Sequence, residues 1–144
     1  MKLIKKYEDH LYAIFRIGIG ALFFMFGVQK LFGLWGMPGG AAAFGTLVWV
    51  AGAGEFLIGL ALISGTLTRL ASFFGIIEML VAYYMGHVSV GGWNPAVNQG
   101  APALLFALAF LATLAYGARK ASLEKTFFRK ELFWVLFLFY IRFQ

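Results

Sequence analysis

Four long apolar stretches, separated by short breaks rich in glycine and polar residues, limit the fold of this chain more than any other feature. They cover about residues 11–32, 46–64, 70–86 and 101–118. A helix needs roughly 20 apolar residues to cross the hydrocarbon core of a bilayer, and each stretch is close to that length. The sequence therefore predicts an all-α fold, an integral membrane four-helix bundle of the up-down type.

The composition favours lipid over water as the solvent of this chain. Of the 144 residues, 62% are hydrophobic and 12% are charged, whereas a soluble domain is roughly half apolar and a quarter charged. Four crossings leave little chain for a soluble catalytic module, so we do not expect an enzyme that acts on its own. The chain contains no cysteine, which removes thiolate nucleophiles, iron–sulfur clusters and cysteine-bound metals. No metal or covalent cofactor is therefore predicted.

The basic residues give the chain a net charge of +6, and they lie at the ends of the apolar stretches. Anionic lipid headgroups, rather than nucleic acid, are the natural partners of cations in that position. The breaks at 33–45 and 87–100 contain neither Lys nor Arg. The positive-inside rule then places both termini in the cytoplasm of a prokaryotic cell and these two breaks outside its inner membrane. The basic residues on the cytoplasmic side include Lys2, Lys5, Lys6, Arg69, Arg119, Lys120, Lys125, Arg129 and Lys130.

Ionisable residues inside the apolar stretches are the best candidates for a site, because each costs about 2.5 to 3.5 kcal/mol at the bilayer centre. Arg16, Glu55 and Glu78 each have a small residue three positions before and four positions after them, on the same helix face. We therefore predict a buried cluster in which Arg16 pairs with Glu55, with Glu78 or with both. Lys30 is expected to extend outward instead. The small residues are Ala13, Gly20, Gly52, Gly59, Gly75 and Ala82.

This cluster has two interpretations. It is either a structural ion pair that locks the bundle, or a polar site for a proton or a quinone headgroup, since carboxyl groups in apolar surroundings can hold a proton near neutral pH. His87, at the external end of the third stretch, is either an interfacial residue or a further group of that site. His10 is expected on the opposite side of the membrane, so a haem with two His ligands is not predicted. The compatible bound molecules are a quinone or a lipid.

The residues after the fourth stretch form a second unit, 125–144, beyond the bundle domain at 1–124. Its apolar run at 132–141 is too short to span a bilayer and is flanked by charged residues. It predicts an additional short C-terminal interfacial helix, or a segment that docks on another membrane subunit. The candidate docking residues are Phe127, Phe128, Arg129, Trp134 and Tyr140.

Several short patterns, in order along the chain, carry a resemblance to a known family. Between Arg16 and Gly33, the spacing of glycines, phenylalanines and Lys30 resembles the opening signature of the DoxX family. The similarity extends from about Arg16 to Glu124. The further matching patterns are Gly52-Ala-Gly-Glu55, Gly65-Thr-Leu-Thr68-Arg69, Trp93-Asn94-Pro95 and Ser122-Leu-Glu124. One departure is Ala101-Pro102, where many members of the family carry an acidic residue.

The resemblance implies a four-helix membrane bundle and several functions. Some members are membrane subunits of a thiosulfate:quinone oxidoreductase, and others look like accessory proteins of redox or oxidative-stress assemblies. We therefore expect an accessory or anchor subunit of a larger redox or electron-transfer complex, bound to other membrane subunits. The alternatives are a quinone-interacting subunit of a thiosulfate:quinone-type oxidoreductase and a small-solute transporter. The last is the weaker, because the sequence shows neither an inverted repeat nor a broken helix.

Overall fold

The computed structural model describes residues 2–124, with side chains from residue 5 onward, and these residues form helices and turns without a strand. The four main helices are α1 (Lys2–Phe32), α2 (Leu47–Ser64), α3 (Thr68–Tyr83) and α4 (Ala101–Tyr116). A π-helical segment, Tyr84–Val88, and a short turn, Ser89–Gly91, prolong α3. The all-α prediction is confirmed. The candidate interfacial helix and docking residues of 125–144 lie outside the described residues.

Three of the helical segments are long and apolar enough to cross a membrane: Lys5–Phe32, Leu47–Ser64 and Thr68–Gly91. The fourth helix is apolar but has 16 residues, or about 24 Å of length, which is somewhat less than the hydrocarbon thickness. The chain is thus an integral membrane helical bundle. The first helix begins earlier than its apolar stretch because the preceding residues include Lys, Leu and Glu, which favour helix.

Glycines set a close antiparallel crossing of α1 and α2. A Cβ atom added to Gly27 would lie 2.4 Å from the backbone nitrogen of Phe56, and one added to Gly59 would lie 2.5 Å from that of Phe24. Gly20 faces Gly59 and Leu62 in the same way. Only residues without a Cβ allow two backbones to approach so closely, which is the usual reason for small residues at membrane helix contacts. The face predicted from the small residues around Arg16 and Glu55 is therefore the packed face.

Replacing Gly27 with alanine should destabilise the bundle by about 1 to 3 kcal/mol, because the methyl group overpacks the α1–α2 contact. Gly18 is the matched control, since a Cβ at that position meets no atom within 4 Å. The Gly18→Ala variant should match or slightly exceed the stability of the parent, as alanine favours helix. Unfolding in sodium dodecyl sulfate measures the stability of both variants. Equal losses in the two variants would contradict the crossing.

Aromatic side chains join this helix pair to the α3–α4 pair. The ring of Phe110 is fully buried, packs on Gly75 of α3, and lies 4.8 Å from the ring centroid of Phe23 in α1. One turn away, the hydroxyl groups of Ser72 and Thr113 share a hydrogen bond of 2.7 Å between α3 and α4. All four helices therefore contribute to one core.

Candidate functional site

The bundle has two chemically different ends. The basic end consists of the start of α1, the α2–α3 turn and the segment 117–124, and it contains Lys5, Lys6 and Arg119 among other cations. The neutral end consists of the loops 33–46 and 92–100, which contain no charged residue. The buried ionisable residues divide between the basic end and the middle of the bundle.

Arg16 lies at the basic end and is fully buried. Its guanidinium group donates hydrogen bonds to the carbonyl oxygens of Ala118 and Ala121, the second at 2.6 Å. It does not pair with Glu55 or Glu78, so that prediction was wrong. The cause is the helix register. The crossing of α1 and α2 places Arg16 level with the α2–α3 turn, roughly 21 Å along α1 from Lys30 and about 14 to 15 Å in depth from the glutamates.

The C-terminal ends of two helices explain how a cation can be buried there. A Cβ added to Gly65, the residue that ends α2, would lie 2.7 Å from Nη1 of Arg16. Ala118 follows the end of α4 by two residues. The last carbonyl groups of a helix have no partner within it and carry the negative end of the helix dipole. Arg16 therefore satisfies two carbonyl groups of the segment that follows α4, and its positive charge lies close to the C-terminal ends of α2 and α4.

The segment 117–124, here called the clasp, is fastened to the rest of the basic end by side chains. Ser122 donates to the carbonyl of Gly65 at 2.7 Å, and the amide of Leu67 donates to the buried carboxylate of Glu124 at 2.9 Å. On the exposed surface, Arg119 pairs with Glu8 at 3.0 Å, and this hydrogen bond raises the pKa of Arg119. The clasp thus has a structural role, which is to hold α1, α2 and α3 together.

The middle of the bundle holds Lys30, Glu55 and Glu78, here called the mid-bundle set. Lys30 of α1 forms an ion pair with Oε1 of Glu55. Glu55 is 3% exposed, whereas the Lys30 side chain is 26% exposed. The expectation that Lys30 extends outward, away from the glutamates, was therefore wrong. Its long side chain reaches the carboxylate one turn deeper, so that the Glu55 end of the pair is buried and the Lys30 side chain is partly exposed.

Glu78 of α3 belongs to this set because Gly54 of α2 leaves space for its carboxylate. A Cβ added to Gly54 would lie 2.7 Å from Oε2 of Glu78, so the glycine makes room for the carboxylate beside Glu55. Both Glu55 and Lys30 interact with Glu78 electrostatically. Three helices thus bring two carboxyl groups and one amine together at the same depth.

Neither the charges nor the hydrogen bonds of the mid-bundle set are balanced within the described residues. Oε2 of Glu55 and Oε1 of Glu78 are buried and have no hydrogen-bond partner among residues 5–124. One ammonium group also faces two carboxyl groups. Buried polar atoms normally have partners, so this arrangement suits a group that brings positive charge or a hydrogen-bond donor.

The chemistry of the mid-bundle set limits what it could bind. The described residues contain no group of three or more His, Asp or Glu side chains that could hold a metal ion. A quinone headgroup accepts hydrogen bonds through its two oxygens and needs donors. The set offers the remaining N–H groups of Lys30 as donors, and a carboxyl group becomes a donor where it is protonated.

His87 is separate from the mid-bundle set. Its Nδ1 lies 2.9 Å from the carbonyl oxygen of Asn98, and its ring stacks on Tyr83. Tyr83 in turn donates to the carbonyl of Trp93 at 2.6 Å. These contacts fasten the loop 92–100 over the π-helical segment, roughly 13 Å along the helix from Glu78. Of the four residues named from the sequence, the structure brings together Glu55 and Glu78 and adds Lys30.

Comparison with known proteins gives the family of the chain. The DoxX family model matches residues 11–88, more than half of the sequence and the whole of the mid-bundle set. A protein of Haemophilus influenzae, described as "Uncharacterized protein", is 35% identical over 134 residues, which cover 90% of this chain and 100% of that protein. No solved structure matches the chain significantly. On this family match and this full-length relative, the chain belongs to the DoxX family.

Proposed function

We propose that this DoxX-family chain is an accessory or anchor subunit of a larger redox or electron-transfer complex. Its place is the cytoplasmic membrane of a prokaryote, with both termini on the cytoplasmic side. The mid-bundle set carries the proposal. It consists of ionisable side chains held inside a membrane bundle. Such side chains usually mark a site that handles protons or ions.

The amino-acid composition of the chain favours a partner subunit that carries the electrons. The sequence contains no cysteine and two histidines. His10 lies near the basic end and His87 near the neutral end, so they cannot ligate one haem or metal together. Electrons would therefore pass through other subunits, while this chain supplies attachment to lipid and a protonatable site.

The partner surface in this proposal is the tail, 125–144, with Phe127, Phe128, Arg129, Trp134 and Tyr140 as its contacts. Its aromatic and basic composition suits an interface between a membrane surface and a neighbouring subunit. The tail follows directly on the clasp, which Arg16 and Glu124 hold at the basic end. A partner bound to the tail would therefore be coupled to the rigid part of the bundle.

Deletion of residues 125–144 should release the partner subunits without preventing membrane insertion, because the described bundle has its own core. The measurement is purification of the tagged chain from its native membrane in a mild detergent, followed by identification of stoichiometric partners. A variant with Lys5→Ala and Lys6→Ala removes basic residues at the same end and should keep its partners. A full-length chain that purifies alone, or equal partner recovery after the deletion, would contradict the proposal.

The second candidate is a quinone-interacting subunit of a thiosulfate:quinone-type oxidoreductase. The observation that favours it is the pair of unpartnered carboxylate oxygens on Glu55 and Glu78. A quinone that accepts two electrons also takes up two protons, so its site needs a proton donor within the membrane. This candidate places the headgroup at the mid-bundle set and assigns neither Arg16 nor His87 to it.

A further inference from the structure

We infer that the mid-bundle set is a proton-binding site, which holds one exchangeable proton on Glu78 while Glu55 remains paired with Lys30. The use of that proton rests on the function proposed above, but its presence depends only on the geometry of α1, α2 and α3. The proposed ligand is a proton rather than a metal cation.

Charge balance favours one bound proton in the mid-bundle set. With Lys30 protonated and both carboxyl groups ionised, the set carries one net negative charge inside an apolar bundle. Binding of one proton to the Glu78 carboxylate gives a carboxylic acid and makes the set neutral. Two carboxylates at close range disfavour ionisation of both, and burial disfavours any unpaired charge. The neutral set is the state that the bundle stabilises.

The contacts of the two carboxyl groups favour Glu78 as the residue that holds the proton. Glu55 is the more deeply buried carboxylate, and its Oε1 accepts the hydrogen bond from Lys30. Glu78 forms no ion pair and no hydrogen bond within residues 5–124, and its carboxylate occupies the space beside Gly54. The remaining oxygen of Glu55 is also unpartnered. It is the natural acceptor when Glu78 releases its proton.

Other charged and titratable groups on the four helices lie away from Glu78 or have partners elsewhere. Lys30 is the charged residue of α1 at this depth, and Glu55 is the one charged residue of α2. The fourth helix carries no charged residue, and its Tyr116 lies at the basic end. On α3, Arg69 lies near the basic end, while Tyr83 is hydrogen-bonded to Trp93 and His87 to Asn98. Lys30 and Glu55 therefore decide whether Glu78 holds a proton.

The mid-bundle set suits a proton better than a hard cation. A resident cation would add positive charge close to the ammonium group of Lys30, and calcium also takes about six to eight oxygen ligands. The two carboxyl groups supply four oxygens, and Lys30 already occupies one of them. A proton needs a single oxygen and one neighbouring acceptor, which is what Glu78 and Glu55 provide.

Labelling with dicyclohexylcarbodiimide tests the inference on the full chain in lipid nanodiscs, because this apolar reagent reacts with protonated carboxyl groups in apolar surroundings. We expect an adduct on Glu78 at neutral pH, located by peptide mass spectrometry, and a several-fold loss of labelling as the pH is raised. Glu8 and Asp9 are exposed controls, and Glu124 is a buried carboxylate with a hydrogen-bond donor. None of these three should be labelled.

Two variants make the test specific. Glu78→Gln should lose the adduct. Glu55→Gln should reduce labelling of Glu78 several-fold, because Lys30 then pairs with Glu78 and keeps it ionised; circular dichroism confirms that both variants fold. Absence of an adduct on Glu78 would overturn the inference, as would protection by sodium chloride but not by choline chloride at constant pH. The assay uses no partner subunit, so its failure is distinguishable from failure of the tail deletion.

Discussion

Replacement of Arg16 with methionine should lower the free energy of unfolding by about 3 to 5 kcal/mol, the largest loss expected from any single side chain outside the mid-bundle set. The guanidinium group donates to Ala118 and Ala121 from a fully buried position. Each hydrogen bond to a charged group contributes about 1.5 to 3 kcal/mol, and methionine leaves both carbonyl groups unpaired. Methionine preserves most of the volume, so the loss reports on polar contacts more than on a cavity.

The control for this prediction is Arg119→Met, at the same end of the bundle. Arg119 forms exposed ion pairs with Glu8 and Asp9, and exposed pairs contribute less than about 1 kcal/mol. Arg16→Lys should be intermediate, because an ammonium group keeps the charge but lacks the planar fork that reaches two carbonyls. Unfolding in sodium dodecyl sulfate, followed by tryptophan fluorescence, orders the three variants. A loss for Arg16→Met no larger than that for Arg119→Met would show that Arg16 does not hold the clasp.

The helices were predictable from the sequence because membrane crossing depends on local hydropathy and length. The second apolar stretch, 46–64, nearly coincides with Leu47–Ser64, since Thr46 accepts the amide hydrogen bond of Trp49 and Gly65 ends the helix at a φ of +69°. Such capping signals are visible in a sequence. The π-helical segment after Tyr83 was not predicted, because no residue pattern there distinguishes a π turn from an α turn.

The partner of each glutamate required the register of the helices, and the sequence contains part of that information. Glu55 lies nine residues before Ser64, and Glu78 lies ten residues after Thr68. Both are therefore about 14 to 15 Å from the α2–α3 turn, which predicts that they share a depth. The same counting separates them from Arg16, which is level with the turn. The pairing predicted for Arg16 relied on complementary charge and neglected depth.

The contacts of Arg16 could not be predicted, because they come from irregular backbone. The clasp has no periodicity, and Arg119 and Ala121 adopt positive φ angles of 46° and 53° without a glycine to indicate them. Such conformations are uncommon for residues with a side chain. They arise here from the packing of the clasp on α1 and the α2–α3 turn.

Replacement of Lys30 with methionine is the second change with a large expected effect. It leaves two carboxyl groups without a cation inside the bundle, and breaking a buried ion pair costs about 3 kcal/mol or more. Because Lys30 is partly exposed, we expect the loss of unfolding free energy to lie near the lower end of this range. The loss should diminish as the pH falls, because protonation of Glu55 removes the unpaired charge. Glu78→Gln should instead remain close to the parent, since it replaces a neutral group with a neutral group.

The most direct test of the mid-bundle set is a double-mutant cycle on Lys30→Met and Glu55→Gln, with unfolding free energies measured at neutral pH. If the three residues form one electrostatic unit, the double variant recovers most of the stability that Lys30→Met loses, because Glu78 alone remains as a neutral acid. Losses that simply add in the double variant would contradict the account.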